Sequence, residues 1–142
     1  MAENKLSVLL VDDDDVACES VVRSFKKHNL DLNIVMAHDG LEALEIIRSQ
    51  HPNKQIAHPY ITLLDLNMPL MNGFEFLEEL RADAEHSSNV VFILTTSDDN
   101  SDIVKAYENY VAGYMVKSAI GPQFSQLHHL LTTYEQSISF RS

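Results

Sequence analysis

Five short apolar runs, each followed by a stretch with helical spacing, constrain this chain more than anything else in it. The runs are residues 6–11, 34–37, 60–64, 90–94 and 113–116. They are dominated by branched and other apolar side chains and show no apolar/polar alternation, which marks strands buried on both faces. Between them the spacing predicts helices. The first covers 15–29, with Val16, Ser20, Val21 and Phe25 in its pattern. The second opens at Asp39-Gly40, with Leu41, Leu44 and Ile47 on one face. The third is capped by Asn72 and runs to about residue 83, with Phe74, Leu77 and Leu80 on one face. The fourth is capped by Asp98 or Asp99 and runs to about residue 109. The last starts near Pro122 and carries the apolar stripe Phe124, Leu127, Leu131, Tyr134 and Ile138. Residues 51–59 contain two prolines and read as a loop. Strand then helix, five times over, predicts an α/β fold of three layers with a parallel sheet covered on both faces. The right-handed crossover rule leaves few topologies for it.

A length of 142 residues fits one domain, with its core at about residues 6–138 and no stretch left over for an output domain. The net charge of −11 disfavours nucleic acid and anionic membrane surfaces as partners. The single cysteine, Cys18, excludes an internal disulfide and a multi-cysteine zinc site. The apolar run near the start is too short for a signal-peptide core or a membrane helix, so the expected location is cytoplasmic.

In an open parallel sheet the functional crevice lies beyond the carboxyl ends of the strands. The first strand here ends in Asp12 and Asp13, the third in Asp65, the fourth in Thr95 and the fifth in Lys117. An aspartate after a strand is ordinarily a loop residue or a helix cap, and Asp14 and Asp15 suit that role at the start of the first helix. The combination is what carries weight. Clustered carboxylates repel one another unless a cation intervenes, and a hard oxygen site suits Mg2+. Phosphoryl transfer needs charge neutralisation and positioning above all, and a carboxylate is a competent nucleophile for it. Asp65 stands alone at the end of the central strand and is the best acceptor. Asp12 and Asp13 are better suited to hold the metal.

These residues resemble the receiver domains of bacterial response regulators. The resemblance rests on Leu10-Val11-Asp12-Asp13, Leu64-Asp65-Leu66-Asn67-Met68-Pro69, Asn72-Gly73, Leu94-Thr95-Thr96-Ser97 and Gly113-Tyr114-Met115-Val116-Lys117. It implies a flavodoxin-like (βα)5 fold with strand order 2-1-3-4-5. It implies Asp65 as phosphoacceptor, and Asp12, Asp13, Asp65 and the backbone carbonyl of Asn67 as ligands of Mg2+, for which Mn2+ substitutes. By the same resemblance Lys117 and Thr95 contact the phosphoryl group, Thr95 and Tyr114 form the switch, and Asn67, Thr96 and Ser97 tune its lifetime. The partners implied are a sensor histidine kinase, and a downstream target or histidine phosphotransfer protein. A homodimer through the fourth helix, fifth strand and fifth helix is also implied. Such a protein is a phosphoacceptor that assists its own phosphorylation and dephosphorylation, and is not otherwise an enzyme.

Two departures from the family pattern stand out. Ser118 follows Lys117 where the family commonly has proline after a cis peptide. Tyr110 stands where the fourth helix often ends in glycine, and a left-handed tyrosine is strained by roughly 1–2 kcal/mol. Both resemble a subset of stand-alone regulators that serve phytochrome-type kinases. Among competing classes, an aspartyl-phosphate hydrolase needs an acid two residues after the nucleophile, where this chain has Asn67. A flavin phosphate after the first strand would be repelled by Asp12 to Asp15. His128-His129 read as solvated helix residues, since neither has a partner at metal-ligand spacing.

Overall fold

The computed structural model describes residues 6–27, 32–66, 68, 71–96, 99–116, 129 and 133. Strands β1 (Ser7–Val11), β2 (Asn33–Ala37), β3 (Tyr60–Leu64), β4 (Val91–Thr95) and β5 (Gly113–Val116) alternate with helices α1 (Asp15–Lys27), α2 (Gly40–Ile47), α3 (Gly73–Ala82) and α4 (Asn100–Glu108). The strands form one sheet in the order β2-β1-β3-β4-β5, and every pairing is parallel. The five-stranded order expected from the sequence is therefore observed. Apart from His129 and Thr133, the expected fifth helix lies outside the described residues, as do the Lys117-Ser118 peptide, Asn67 and Ser97. His129 and Thr133 sit in helical backbone and are exposed.

The strands are apolar on both sides because both faces are covered. Val8 and Leu10 face a cluster with Cys18, Val21 and Phe25 of α1, together with Ile61, Leu63, Phe92 and Leu94. Leu9 and Val11 face the other way, into a cluster with Leu44 and Ile47 of α2, Phe76, Leu77 and Leu80 of α3, and Ala106 of α4. The period-2 geometry of a strand divides its residues between two cores in this way.

Each of α1 to α4 begins at a short polar side chain that accepts an otherwise unpaired first-turn N–H. Asp14 accepts from Val16 and Ala17, Asp39 from Glu42 and Asp99 from Ser101. Asn72 and Glu75 cap α3 reciprocally. Two apolar residues depart from the expected inward faces. Val16 and Leu41 are 74% and 50% exposed. Each is the second residue of its helix, and helices following parallel strands begin at the sheet's carboxyl edge, where no sheet lies beneath them. In α3 the fully buried aromatic is Phe76, while Phe74 is half-buried and carries Lys105 of α4 at 4.4 Å over its ring.

Helix α4 ends as the sequence implied. Tyr110 has φ 61° and is 79% exposed. Its carbonyl and that of Asn109 accept from the Arg81 guanidinium at 3.0 and 2.7 Å, and Arg81 also reaches the carbonyls of Ser87 and Asn89. The carbonyls hold the backbone in place, and the exposed ring contributes little, so the left-handed residue is better served by glycine. Tyr110→Gly is expected to raise the unfolding free energy by up to about 1 kcal/mol in urea melts. A lower stability would mean that the tyrosine ring makes a contact worth more than the strain.

Candidate functional site

The register of the central strands builds the site. Val11 pairs with both Ala37 and Leu64, so Asp12 and Asp65 leave the sheet at the same level. The Asp65 N–H still donates to the Val11 carbonyl at 2.9 Å, and the Asp12 N–H to that of Ala37 at 3.0 Å. One strand over, Thr95 is the last residue of β4 and pairs with Val116 of β5.

The carboxylates converge. One oxygen each from Asp12, Asp13 and Asp65 lies within 4.8 Å of the others. Asp12 and Asp65 are 3% and 6% exposed, and Asp13 is open to solvent. Three anionic oxygens at this spacing, two of them sunk into the protein and one at the mouth, fit a hard divalent cation that keeps part of its water. Thr95, fully buried, donates its hydroxyl to Asp65 Oδ1 at 2.9 Å. Asp12 Oδ1 accepts the Asp14 N–H at 2.9 Å, which fixes its rotamer and shapes the first turn after β1. Tyr114 is half-buried and packs against the core on the α2–α3–α4 side. Thr96 follows the strand and is exposed. The arrangement can bind a divalent cation, present a buried carboxylate as nucleophile and supply a hydroxyl donor beside it.

A second charged group, not foreseen in the sequence, gathers between the edge strand β2 and the starts of α1 and α2. His38 lies 3.3 Å from Asp15 of α1 and 3.4 Å from Glu42 of α2. Glu42 also accepts the His38 backbone N–H at 2.7 Å, Lys54 Nζ at 3.1 Å and His51 Nε2 at 3.0 Å. His51 Nδ1 accepts the backbone N–H groups of Asn53 and Lys54, so the ring proton sits on Nε2 and points at Glu42. Lys54 Nζ donates onward to the Met36 carbonyl of the edge strand β2 at 2.7 Å. The loop at 51–59 is thus strapped upward to the start of α2. No spacing rule relates these residues, so only the folded chain reveals the strap.

The strap sets an acid response. Burial alone would raise the Glu42 carboxyl, but the His38 N–H, Lys54 and His51 bring it from 4.5 down to about 2. Its folded value lies below its unfolded one, so the stabilisation is complete above about pH 4.5 and is lost as the pH falls toward 2. Glu42→Gln is expected to lose about 1–2 kcal/mol at neutral pH and to flatten that part of the pH profile, after allowance for solvent screening. Urea midpoints at a series of pH values check this, and parallel profiles would contradict it.

Comparison with known proteins bears directly on this geometry. The family model described as response regulator receiver domain matches residues 8–131. The response regulator Rcp1 of Synechocystis is 32% identical over 111 residues, which cover 78% of this chain and 76% of that protein. The crystal structure of a phosphorylated cyanobacterial phytochrome response regulator, RcpA, superposes with a TM-score of 0.74 at 28% identity, covering 93% of this chain and 92% of the other. A manganese-bound form of Rcp1 gives a TM-score of 0.71 at 28% identity, with 86% and 88% covered. Among the described residues no helix is long and apolar enough to cross a membrane.

Proposed function

The chain belongs to the response regulator receiver domain family of two-component systems, and from that premise we propose that Asp65 accepts a phosphoryl group in a Mg2+-dependent reaction. The single observation that carries this reading is the meeting of Asp12, Asp13 and Asp65 within 4.8 Å, with the Thr95 hydroxyl on Asp65. Asp12, Asp13, Asp65 and the Asn67 backbone carbonyl would hold the cation, with Mn2+ able to replace Mg2+. When bound, the cation neutralises charge on the phosphoryl oxygens and relieves the repulsion among the carboxylates.

An oxygen of Asp65 attacks the phosphorus of a phosphohistidine on a sensor kinase. The O–P bond forms as the P–N bond breaks, and the imidazole leaves with the electron pair and takes a proton from water. Lys117 pairs with the transferred group. The Thr95 hydroxyl, which now donates to Asp65 Oδ1, turns to a phosphoryl oxygen. That movement frees space for Tyr114 and changes the surface formed by the fourth helix, fifth strand and fifth helix. Asn67, Thr96 and Ser97 set how readily water attacks the acyl phosphate.

The similarity to Rcp1 and to RcpA supports a phytochrome-type histidine kinase as the donor. The phosphorylated form is read by another protein, a downstream target or a histidine phosphotransfer protein, or by a second copy across the same surface. The receiver domain acts in the cytoplasm.

The test is chemical. Incubation with radiolabelled acetyl phosphate and Mg2+ should give a hydroxylamine-sensitive label confined to the peptide that contains Asp65. Excess EDTA should prevent it. Label in any other peptide, or label that forms equally in EDTA, would refute the assignment.

A further inference from the structure

The Asn72-Gly73 pair stands out in the sequence, yet the phosphoryl chemistry gives it no role. Gly73 opens α3 and is buried. A Cβ built on it would lie 2.6 Å from the Leu66 Cα and 2.8 Å from the Asp65 carbonyl oxygen. Both atoms belong to the peptide that joins the acceptor to its neighbour. Separations this short cannot be relieved by a side-chain rotation, because the obstacles are backbone. No glycine among the described residues has a positive φ, so the demand at 73 is for space and not for backbone freedom.

The rest of the contact is built to match. The Gly73 N–H donates to the Leu66 carbonyl at 3.0 Å. The turn that carries Gly73 is fixed by the capping box, in which Asn72 accepts the Glu75 N–H and Glu75 accepts the Asn72 N–H, each at 3.0 Å. From the other side the Asp65 N–H is held by the Val11 carbonyl. The acceptor peptide is therefore set between the end of β1 and a capped helix start that touches it directly.

The geometry points to Gly73 as a positioning residue for Asp65, with the capped first turn of α3 as the seat against which the acceptor peptide rests. This inference rests on the acceptor reading given above. It explains why the helix opens on glycine although alanine is the better helix former. A methyl group at 73 pushes the Asp65–Leu66 peptide away from α3 and takes the Asp65 carboxylate out of register with Asp12, Asp13 and Thr95.

The test uses the full chain and two readouts, Mn2+ affinity by isothermal titration and phosphoryl uptake from acetyl phosphate at saturating Mg2+. Gly73→Ala should weaken Mn2+ binding at least tenfold and slow uptake by on the order of a hundredfold, the scale of an ångström-sized misplacement. Phe25→Leu, whose lesion lies in the core on the opposite face of the sheet, should lower the Tm and leave both readouts unchanged. If Gly73→Ala does not fold, Asn72→Ala loosens the seat without adding an atom near the acceptor. It should weaken both readouts several-fold, and Asn72→Ser, which restores the cap, should recover them. Wild-type affinity and rate in a folded Gly73→Ala, or in Asn72→Ala, would overturn the inference. Absence of uptake by the wild type would instead overturn the acceptor assignment itself.

Discussion

Asp65→Asn is expected to take up no phosphoryl group from acetyl phosphate and to bind no beryllofluoride, yet to melt no lower than the wild type in cation-free buffer. The first outcome follows from chemistry. A carboxylate oxygen carries the charge and lone pair that attack phosphorus, and an amide oxygen is far too weak a nucleophile for that step. The second follows from the electrostatics of the carboxylate cluster in cation-free buffer. Like charges at the 4.8 Å limiting separation of these oxygens repel by ~1 kcal/mol at the dielectric of water and by ~3 kcal/mol at an effective constant of 20. Asp65 takes part in two such pairs, with Asp12 and with Asp13. The substitution removes both, and an asparagine carbonyl can still accept the Thr95 hydroxyl. A cation that binds only the folded state raises the Tm by mass action. Millimolar Mg2+ should therefore lift the wild-type Tm and close the gap to the variant, whose own Tm moves less. Beryllofluoride titration and thermal melts with and without Mg2+ check both halves. Equal beryllofluoride binding by the two proteins would remove Asp65 as the acceptor. A variant that melts well below the wild type without cation would mean that the carboxylate makes compensating contacts stronger than the repulsion.

What could be read in advance followed from how strongly each feature is marked by local sequence. The central strands β1, β3 and β4 were legible because they are buried on both faces and so read as nearly continuous apolar runs. The half-buried edge strand β2 kept an apolar run as well, and the ends of β1, β3 and β4 were marked by Asp12, Asp65 and Thr95 themselves. The site inherited that legibility, since strand ends in a parallel sheet share one edge. Helix faces were less legible. Val16 and Leu41 fit an apolar stripe but sit in first turns that overhang the sheet, and a periodicity count cannot tell where the sheet stops. Phe76 was missed because Phe74 fits the same spacing with Leu77 and Leu80. The Glu42–His51–Lys54 strap and the seat at Gly73 depend on where loops travel and on how closely backbones approach. Neither leaves a periodic trace.

Phe76→Ala is expected to cause the largest loss of stability of any change considered for this chain, about 3–5 kcal/mol. Phe76 is among the largest side chains with no exposed surface, and it belongs to the cluster in which Leu66, Leu77, Leu80, Val91 and Ile93 meet. Two of these residues, Val91 and Ile93, are β-strand residues held in register by the ladder, so they cannot move in to fill the space that the ring vacates. Close packing then turns the lost volume into a cavity and not into a smaller core. A loss of that size is a large share of the roughly 5–15 kcal/mol that holds a domain folded. Phe76→Leu keeps most of the volume and should cost about 1–2 kcal/mol, so the two variants separate the cavity from the simple loss of an aromatic ring. Urea unfolding measures both, and an unchanged m-value would show that the native and denatured states expose the same surface as in the wild type. Leu66 adjoins Asp65 and shares this cluster, so the hole also loosens the core beneath the acceptor. A cost for Phe76→Ala below about 1 kcal/mol would show that α3 can settle onto the sheet, and an α3 free to settle could not serve as a fixed seat for the acceptor peptide.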